Sequence, residues 1–326
     1  MVLAEPDIIG REDIERAAAR LNGRIRVTPT TTLEEGVLGL PARLTLKLET
    51  VQHSGAFKVR GAFNRMLSAD APAQGVIAAP GGNHGAAVAH AARELGAEAE
   101  VFVPKTSPPV KVERIRSYGA RVTLVGDSVA AAIEAAEARA AETGAHYVHA
   151  YDQPEVVAGQ GTLGLELGLQ APDLDTVLVA VGGGGLIGGI ASWYRGAIRV
   201  VGVEPHRAPT LSAALASGKP VEVRADGAAA DSLGAGRVGN LAFRIAEDFV
   251  DRVVLVADES ILTAQHWLWD TLRIVVEPGG ATALAALLSG AYRPQPDERV
   301  GVLLCGANAD PAQLSSSRGE APTRST

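Results

Sequence analysis

The sequence is poor in several residue types and patterns, and each scarcity excludes a class of protein. Cys305 is the single cysteine among 326 residues, so no internal disulfide framework can form and we expect a reducing, cytoplasmic location. The formal net charge of −7 argues against a nucleic-acid-binding surface, which is normally basic. No run approaches the roughly 18 apolar residues of a membrane span. The N-terminal segment also lacks the basic and apolar regions of a signal peptide.

Aromatic residues are scarce too, at 4 %, whereas hydrophobic residues make up 47 % and charged residues 21 %. These proportions are typical of a soluble globular enzyme. The length suffices for a sizeable core that is divided between two lobes. Abundant alanine and glycine favour helices that pack closely on a sheet.

A short apolar run, a glycine-rich turn and an alanine-rich helix recur along the chain, and this alternation predicts parallel βαβ units. The first half predicts strands at 76–79, 100–103, 122–125 and from 147, with helices at 83–95, 109–118 and 128–143. The second half predicts strands at 176–181, 199–203, 253–256 and 300–304, with helices at 186–194, 209–216, 259–272 and 280–288.

The pattern therefore predicts an α/β fold with two doubly wound open-sheet lobes. The larger lobe comprises residues 1–70 and 150–312, and the smaller lobe, 71–149, is inserted into it. The Ser-, Gly- and Pro-rich segment 313–326 has no apolar pattern, so we expect a disordered tail.

One glycine-rich segment is compatible with two kinds of cofactor. Gly183, Gly185 and Gly188 follow a predicted strand and precede a predicted helix, and Glu204 ends the next predicted strand. This arrangement matches the G-x-G-x-x-G fingerprint of dinucleotide-binding proteins and makes a nicotinamide-dependent oxidoreductase one interpretation. However, glycine N–H groups at a helix N-terminus bind any phosphate. The four consecutive glycines 182–185 favour a nest around a single phosphate monoester.

The segment Ser54-Gly55-Ala56-Phe57-Lys58-Val59-Arg60-Gly61-Ala62 decides between these interpretations. It resembles the S-x-x-F-K-x-R-G-A motif of the fold type II pyridoxal-phosphate enzymes, which are tryptophan synthase β-subunit-like. Within these enzymes it resembles the serine/threonine dehydratase (threonine ammonia-lyase) family. The resemblance runs from about Ile14 to Asp310. Further motifs follow in the family's order at Gly82–Gly85, Ala158–Thr162, Gly182–Gly185, Glu277–Ala281 and Cys305–Asn308.

By this resemblance Lys58 forms the internal Schiff base with the aldehyde of pyridoxal 5′-phosphate. The amine must react in its neutral form, so the site has to lower a pKa that is about 10.4 in water. Phe57 supplies an apolar wall beside it. Without the resemblance, Lys58 is interpreted as an exposed lysine at the start of a helix, with Arg60 and Arg65 on the same solvated surface.

The resemblance also implies the remaining cofactor contacts. The phosphate is held by the backbone N–H groups of four glycines, Gly182, Gly183, Gly184 and Gly185. The dipole of the helix that starts at Leu186 adds to this attraction. Asn83 hydrogen-bonds the cofactor's 3-hydroxyl, although an asparagine here also suits a helix N-cap. Cys305 faces the pyridine nitrogen as a neutral thiol, and a buried structural cysteine is a compatible alternative.

The substrate is expected against Ser54 and the loop Gly81-Gly82-Asn83-His84, where His84 either frames the substrate or simply packs. Pro80 replaces a serine of the family's loop and has neither a hydroxyl nor an N–H group, so one donor to the substrate carboxylate is missing. Gly81 stands where a related racemase carries the serine that protonates the opposite face. We therefore expect β-elimination rather than racemisation.

Glu204 and the carbonyl of Ala208 correspond to two ligands of the cation-binding members of the family. Thr210 replaces the acidic third ligand, so a complete divalent site is not expected. A weaker or monovalent cation site stays open, and so does an ordinary surface carboxylate at Glu204.

The sequence therefore predicts a cytoplasmic pyridoxal-phosphate ammonia-lyase that acts on a small β-hydroxy amino acid. L-Threonine would give 2-oxobutanoate and L-serine would give pyruvate, each with release of ammonia. We expect a homodimer or homotetramer with no nucleic-acid or membrane partner. Three alternatives remain: racemisation or β-replacement with the same cofactor, a nicotinamide oxidoreductase, and a binding protein without catalysis.

Overall fold

The computed structural model describes residues 9–34, 36–69 and 74–312, so the segment predicted to be a disordered tail lies outside the described residues. Within these ranges the chain forms a six-stranded and a four-stranded sheet. The strands are, in chain order, Thr30–Thr32 (β1), Ala42–Leu48 (β2), Val76–Ala78 (β3), Ala99–Val103 (β4), Arg121–Leu124 (β5), His146–Val148 (β6), Thr176–Ala180 (β7), Arg199–Pro205 (β8), Arg252–Val256 (β9) and Glu298–Leu304 (β10).

Helices connect the strands and cover the sheets. They are Arg11–Leu21 (α1), Lys58–Leu67 (α2), Gly82–Leu95 (α3), Pro109–Ser117 (α4), Val129–Thr143 (α5), Pro154–Gln170 (α6), Gly185–Tyr194 (α7), Thr210–Ser217 (α8), Ala230–Leu233 (α9), Asn240–Phe249 (α10), Asp258–Trp267 (α11) and Pro278–Leu288 (α12). A π-helical turn, Leu268–Leu272, continues α11. None of the helices in the described ranges has the length and apolar character that crossing a membrane requires.

The strands and helices predicted for the two lobes are all present, with ends that differ by a few residues. The predicted α/β fold with two doubly wound sheets is confirmed. Strands β3 to β6 fall within the segment 71–149, whereas the boundaries of the two lobes stay a prediction. The pattern missed several elements, of which β2 and the 17-residue helix α6 are the longest of their kinds.

The smaller sheet shows how alternating side chains place helices on both faces. Val76 and Ala78 of β3 are buried with apolar residues of α2 and α3. Ile77 and the following Ala79 point the other way and are buried with alanines of α5. Because successive strand residues face opposite sides of a sheet, one short apolar run contributes to two cores.

Each sheet has one position at which the direction of winding reverses. In the larger sheet, the order β1-β2-β10-β7-β8-β9 places β10 and β8 on opposite sides of β7. In the smaller sheet, the order β5-β4-β3-β6 does the same for β6 and β4 around β3. Ligands of open α/β sheets bind outside the carboxyl ends of strands at such positions. The residues after β7, β10, β3 and β6 are therefore the first place to look for a site.

Candidate active site

Lys58 lies between these two positions. It is the first residue of α2, and the segment before it is tied to the end of β10 by the Phe57 N–H group, which donates to the carbonyl of Cys305 at 3.1 Å. Its ammonium donates to the carbonyl of Ala150, just after β6, at 2.9 Å. The amine nitrogen also lies 5.1 Å from the centroid of the Phe57 ring. Lys58 is therefore held against both sheets.

Burial lowers the pKa of Lys58 to about 8, although the nearby Cys305 and Glu277 oppose the shift. Desolvation disfavours the charged ammonium, and the single carbonyl of Ala150 does not compensate fully. The interpretation of Lys58 as an exposed surface lysine is therefore wrong. Arg60 is not solvated either, because its side chain is fully buried and paired with Glu49 and Glu166.

The loop 182–185 after β7 presents bare backbone at the start of α7. Gly184 is the N-cap with a φ of 88°, a left-handed conformation that suits glycine, and it has no side-chain cap. The first N–H groups of a helix have no acceptor within it, so they point outward unpaired. A Cβ atom on Gly184 would lie 2.5 Å from Cβ of Ala242, and one on Gly185 would lie 2.9 Å from the carbonyl oxygen of Tyr151. With Leu186 buried in the first turn, this cradle fits a phosphate group.

Asn83 lies in the first turn of α3, whose N-cap is Gly81, so the interpretation of Asn83 as an N-cap is wrong. Its amide nitrogen donates to Glu277 at 2.5 Å, and its amide oxygen accepts from Asn308 at 2.5 Å. One N–H of the amide is left for another acceptor. This remaining donor fits the predicted hydrogen bond to the cofactor's 3-hydroxyl.

Glu277 and Asn308 are two polar residues to which the sequence interpretation gave no role. Glu277 is buried at the start of α12, and burial raises its pKa to about 7, while the hydrogen bond from Asn83 and the positive charge of Arg114 oppose the shift. Asn308 links Asn83 to the carbonyl of Ser54, to which it donates at 3.0 Å. Both residues belong to motifs that the sequence shows, but a motif does not state which side chains meet.

Ser54 has the features of a ligand-contacting residue. Its φ is 54° and its ψ is 11°, which is strained for a residue with a side chain. It is 7 % exposed, and its hydroxyl has no partner among the described residues. Its carbonyl accepts a hydrogen bond of 2.6 Å from Arg114, so α4 helps to hold this segment.

The loop after β3 has little room for side chains. A Cβ atom on Gly81 would lie 2.5 Å from Cγ1 of Val103, and Gly82 follows with a φ of 60°. His84 is buried, and its Nε2 donates to the carbonyl of Val148 at 2.8 Å. Burial lowers the pKa of His84 to about 3, so the ring is neutral. These contacts favour packing, of the two roles that the sequence left open for His84.

Cys305 is buried where β10 ends, with its sulfur 3.5 Å from the carbonyl oxygen of Gly279. Burial raises its pKa to about 12, so the side chain remains a neutral thiol. This state fits the predicted place beside a neutral pyridine nitrogen. It is equally that of a packed structural cysteine, so the role at the ring stays a prediction.

Glu204 is completely buried, so its interpretation as a surface carboxylate is wrong. Its carboxylate accepts hydrogen bonds from the N–H groups of Leu211 at 2.7 Å and Ser212 at 3.0 Å, in the first turn of α8. The carbonyl of Ala208 accepts from the N–H group of Thr210 at 3.1 Å. Across the described ranges, no group of three His, Cys, Asp or Glu side chains is placed to hold a metal ion. The cation site stays a prediction.

A family model described as a pyridoxal-phosphate dependent enzyme matches residues 21–306. The chain belongs to this family. Its cofactor is therefore pyridoxal 5′-phosphate, and this membership excludes the nicotinamide interpretation built on Gly183, Gly185, Gly188 and Glu204. The buried carboxylate of Glu204, which accepts hydrogen bonds from α8, is also unavailable to a ribose.

The similarity to individual proteins covers nearly the whole chain. The L-threonine ammonia-lyase of Geobacter sulfurreducens is 41 % identical over 313 residues, which are 93 % of this chain and 76 % of that protein. A solved threonine deaminase from T.th. is 37 % identical, with a TM-score of 0.86 over 92 % of this chain and 99 % of that one. Maize serine racemase is 32 % identical, with a TM-score of 0.89 over 95 % and 97 %. The predicted resemblance to the dehydratase family is confirmed.

Proposed function

We propose that this enzyme eliminates water from L-threonine or L-serine, after which water hydrolyses the released imine to ammonia and 2-oxobutanoate or pyruvate. The observation that carries the proposal is the amine of Lys58, which burial keeps available as a base, together with a loop that offers no side chain at Gly81. Bound pyridoxal phosphate supplies an electron sink that stabilises negative charge at the substrate's Cα atom. The protein's own groups supply the binding, orientation and proton transfer.

Lys58 is the proposed general base at Cα. A lysine with a pKa of about 8 has an appreciable neutral fraction near neutral pH, whereas a free lysine has almost none. The carbonyl of Ala150 accepts one of its hydrogens and orients the nitrogen. The same amine can therefore accept a proton from the substrate and return it on the same face.

The cofactor is expected to be oriented from two ends. The N–H groups of loop 182–185 and the α7 dipole bind the phosphate. Asn83, fixed by Glu277 and Asn308, directs its remaining N–H group at the 3-hydroxyl. Because the amide is held by two neighbours, its orientation is set before any ligand binds.

Elimination is favoured over racemisation by the shape of the loop after β3. Racemisation needs a second proton donor at Cα on the face opposite Lys58. Elimination needs no group there, because Lys58 takes the α-proton and the other proton goes to the β-hydroxyl, which leaves as water. Gly81 carries no hydroxyl, and Val103 occupies the space into which a Cβ atom would project. A serine could enter this position only if the loop or Val103 moved.

A product assay tests the proposal. The holoenzyme, given L-threonine or L-serine, should release 2-oxo acid and ammonia in equal amounts, with D-amino acid as a minor product. L-2-Aminobutyrate, which lacks the β-hydroxyl of threonine, serves as the control and should release no ammonia. D-Serine formed faster than pyruvate from L-serine would show that the enzyme is chiefly a racemase.

We further propose that the protein is a homodimer or homotetramer. The single cysteine, Cys305, favours a cytoplasmic location. Val27 and Leu169 are each 76 % exposed, and a second copy of the chain is one way in which such apolar side chains become covered. Light scattering of the purified holoenzyme measures the mass directly. A mass of one chain, near 33.6 kDa, would contradict the expected oligomer.

A further inference from the structure

Helix α6 lies between the two helices that carry the proposed cofactor contacts, and contacts both. On one side it packs against α2, which begins with Lys58. On the other side it packs against α7, which follows the glycine loop 182–185. The sequence motif Ala158–Thr162 lies in the middle of α6, and the proposed chemistry gives it no role.

On the α2 side the two helices touch through their backbones. A Cβ atom on Gly159 would lie 2.6 Å from the carbonyl oxygen of Arg60 and 2.7 Å from Cα of Gly61. One on Gly61 would lie 2.9 Å from the carbonyl oxygen of Val156. Real Cβ atoms do not approach backbone atoms this closely, so an alanine at Gly159 must push α2 away.

On the α7 side the contact is similar. A Cβ atom on Gly161 would lie 3.0 Å from the carbonyl oxygen of Gly189 and 2.6 Å from Cδ1 of Ile14. One on Gly189 would lie 2.5 Å from the carbonyl oxygen of Val157. The backbone of α7 is therefore as close to α6 as the backbone of α2 is, and the two contacts are separated by one residue of α6.

Arg60 locks the contact between α2 and α6. Its Nε donates to Glu49 at 2.8 Å, one Nη donates to Glu166 at 3.0 Å, and the other donates to Thr162 at 3.3 Å. Arg60 and Glu49 are completely buried. A buried ion pair is tolerated only with good geometry, so this network resists sliding of α2 along α6.

We propose that α6 sets the distance between Lys58 and the loop 182–185, with Gly159 and Gly161 as positioning residues for the cofactor. This inference rests on the proposed roles of Lys58 and the loop. Pyridoxal phosphate carries its aldehyde directly on a rigid ring and its phosphate on a short methylene ester arm, so only a narrow range of separations of α2 and α7 suits both ends. A misplacement of about 1 Å can cost on the order of a hundredfold in the rate of a reaction that depends on such positioning.

Single alanines on α6 test the inference, because each should move a different end of the site. The measured quantities are the affinities of the apoprotein for pyridoxal phosphate and for pyridoxal, which lacks the phosphate. Gly161→Ala should lower the affinity for pyridoxal phosphate at least about tenfold and leave the affinity for pyridoxal within about twofold of the wild-type value. Gly159→Ala should weaken both ligands at least about tenfold, since it displaces Lys58.

Gly168→Ala is the matched control on the same helix. The nearest atom to its added Cβ would be Nε1 of the Trp193 side chain at 3.3 Å, which can move more easily than backbone. This variant gains the same helix propensity as the others. Both affinities should stay within about twofold of the wild-type values.

Two results would overturn the inference. One is wild-type affinity for both ligands in the two test variants. The other is a loss of both affinities in proportion to the loss of melting temperature. In Gly161→Ala, this result would leave the ratio of the two affinities at its wild-type value. If the alanine variants do not fold, Thr162→Val removes the contact to Arg60 without added volume, and should slow covalent attachment of pyridoxal severalfold. An unchanged attachment rate there would equally overturn it.

Borohydride reduction of the wild-type holoenzyme separates this inference from the proposed site. Cofactor fixed to a lysine other than Lys58 would refute the site itself. If the cofactor is fixed to Lys58 but the α6 variants bind both ligands with wild-type affinity, only the spacing role of α6 is refuted.

Discussion

The two ends of the six-stranded sheet differ in how their polar groups are satisfied. At the amino ends of the strands, the Glu298 carboxylate accepts hydrogen bonds from Thr176 at 2.6 Å, Arg199 at 2.8 Å and Tyr292 at 2.5 Å. It also accepts from the N–H group of Gln295 at 2.7 Å. This cluster leaves its central carboxylate well paired, and its partners lower the pKa of Glu298 despite burial.

At the carboxyl ends, burial moves the pKa values of an amine and a carboxyl group toward 7, and a buried hydroxyl has no hydrogen-bond partner in the described part of the chain. The pKa of Lys58 is lowered to about 8 and that of Glu277 is raised to about 7, while the Ser54 hydroxyl has no partner among the residues that the structure describes. Paired groups stabilise a fold, whereas desolvated groups with spare hydrogen-bonding capacity are prepared for a ligand. Variants at matched positions of the two ends should therefore separate function from stability.

The largest difference is expected between Lys58→Ala and Arg299→Lys. Loss of Lys58 should abolish covalent cofactor attachment and lower elimination by more than about a thousandfold, equivalent to ~4 kcal/mol of activation free energy. Arg299 binds Asp175 with hydrogen bonds of 2.9 and 2.7 Å at the opposite end, so its replacement should lower the melting temperature by roughly 2–4 °C and spare activity. Full activity in Lys58→Ala would refute the assignment.

The next effect concerns the two ends of α7. Gly184→Ala should weaken pyridoxal phosphate at least about tenfold, because a Cβ atom there meets Ala242 at 2.5 Å and moves the phosphate cradle. Gly196→Ala, just beyond the other end, has a similar φ of 82° but open space around its Cβ atom. Calorimetric titration of both apoproteins compares them. If both variants lose the same affinity for pyridoxal phosphate, the loss would come from strain at a positive φ and not from a displaced phosphate cradle.

A smaller effect is expected on pH dependence. Attachment of the cofactor to the apoprotein needs neutral Lys58, so its rate should fall as the pH drops through about 8. The Glu277 carboxylate raises the pKa of Lys58, so Glu277→Gln should move the midpoint to lower pH. Glu298→Gln at the opposite end should destabilise the fold without moving the midpoint. A shift to higher pH in Glu277→Gln would contradict this electrostatic account.

The smallest effect is expected at Cys305. Cys305→Ser keeps a neutral hydrogen-bonding group, so elimination should stay within about threefold of wild type. In Cys305→Asp, the carboxylate should favour the protonated form of the ring nitrogen. The ratio of elimination to exchange of the α-proton with solvent deuterium should then fall. An unchanged ratio, with cofactor still bound, would leave Cys305 as a packed residue at the end of its strand.

The sequence predicted the strand–helix alternation well because its signals are local. It missed α6 because this helix is apolar on most sides and contains glycines at 159, 161, 164 and 168, which usually weaken a helix. Two of these glycines, Gly159 and Gly161, lie where α2 and α7 each approach the backbone of α6 closely. No local sequence pattern reveals these tertiary contacts. The motif was visible, but its role as a spacer was not.

The candidate site was predicted unevenly for a related reason. Lys58 and the loop 182–185 could be singled out from the sequence because each lies within one contiguous motif. The ion pair of Arg60 with Glu166, and the bonds of Asn83 to Glu277, join residues 106 and 194 positions apart. The burial of Arg60 involves such a distant partner, so Arg60 was wrongly expected at the surface in one interpretation.

The most direct test of the central claim compares two buried lysines. Lys47 is fully buried and donates to the carbonyl of Thr28 at 2.7 Å and to Gln170 at 2.7 Å, and it is paired with Glu166. The ammonium of Lys58, in contrast, donates to the carbonyl of Ala150 and has no carboxylate in an ion pair with it among the described residues. Borohydride reduction of the holoenzyme, followed by peptide mass spectrometry, should find the cofactor on Lys58 and none on Lys47. Stoichiometric label on any other lysine, with Lys58 unmodified, would contradict the account.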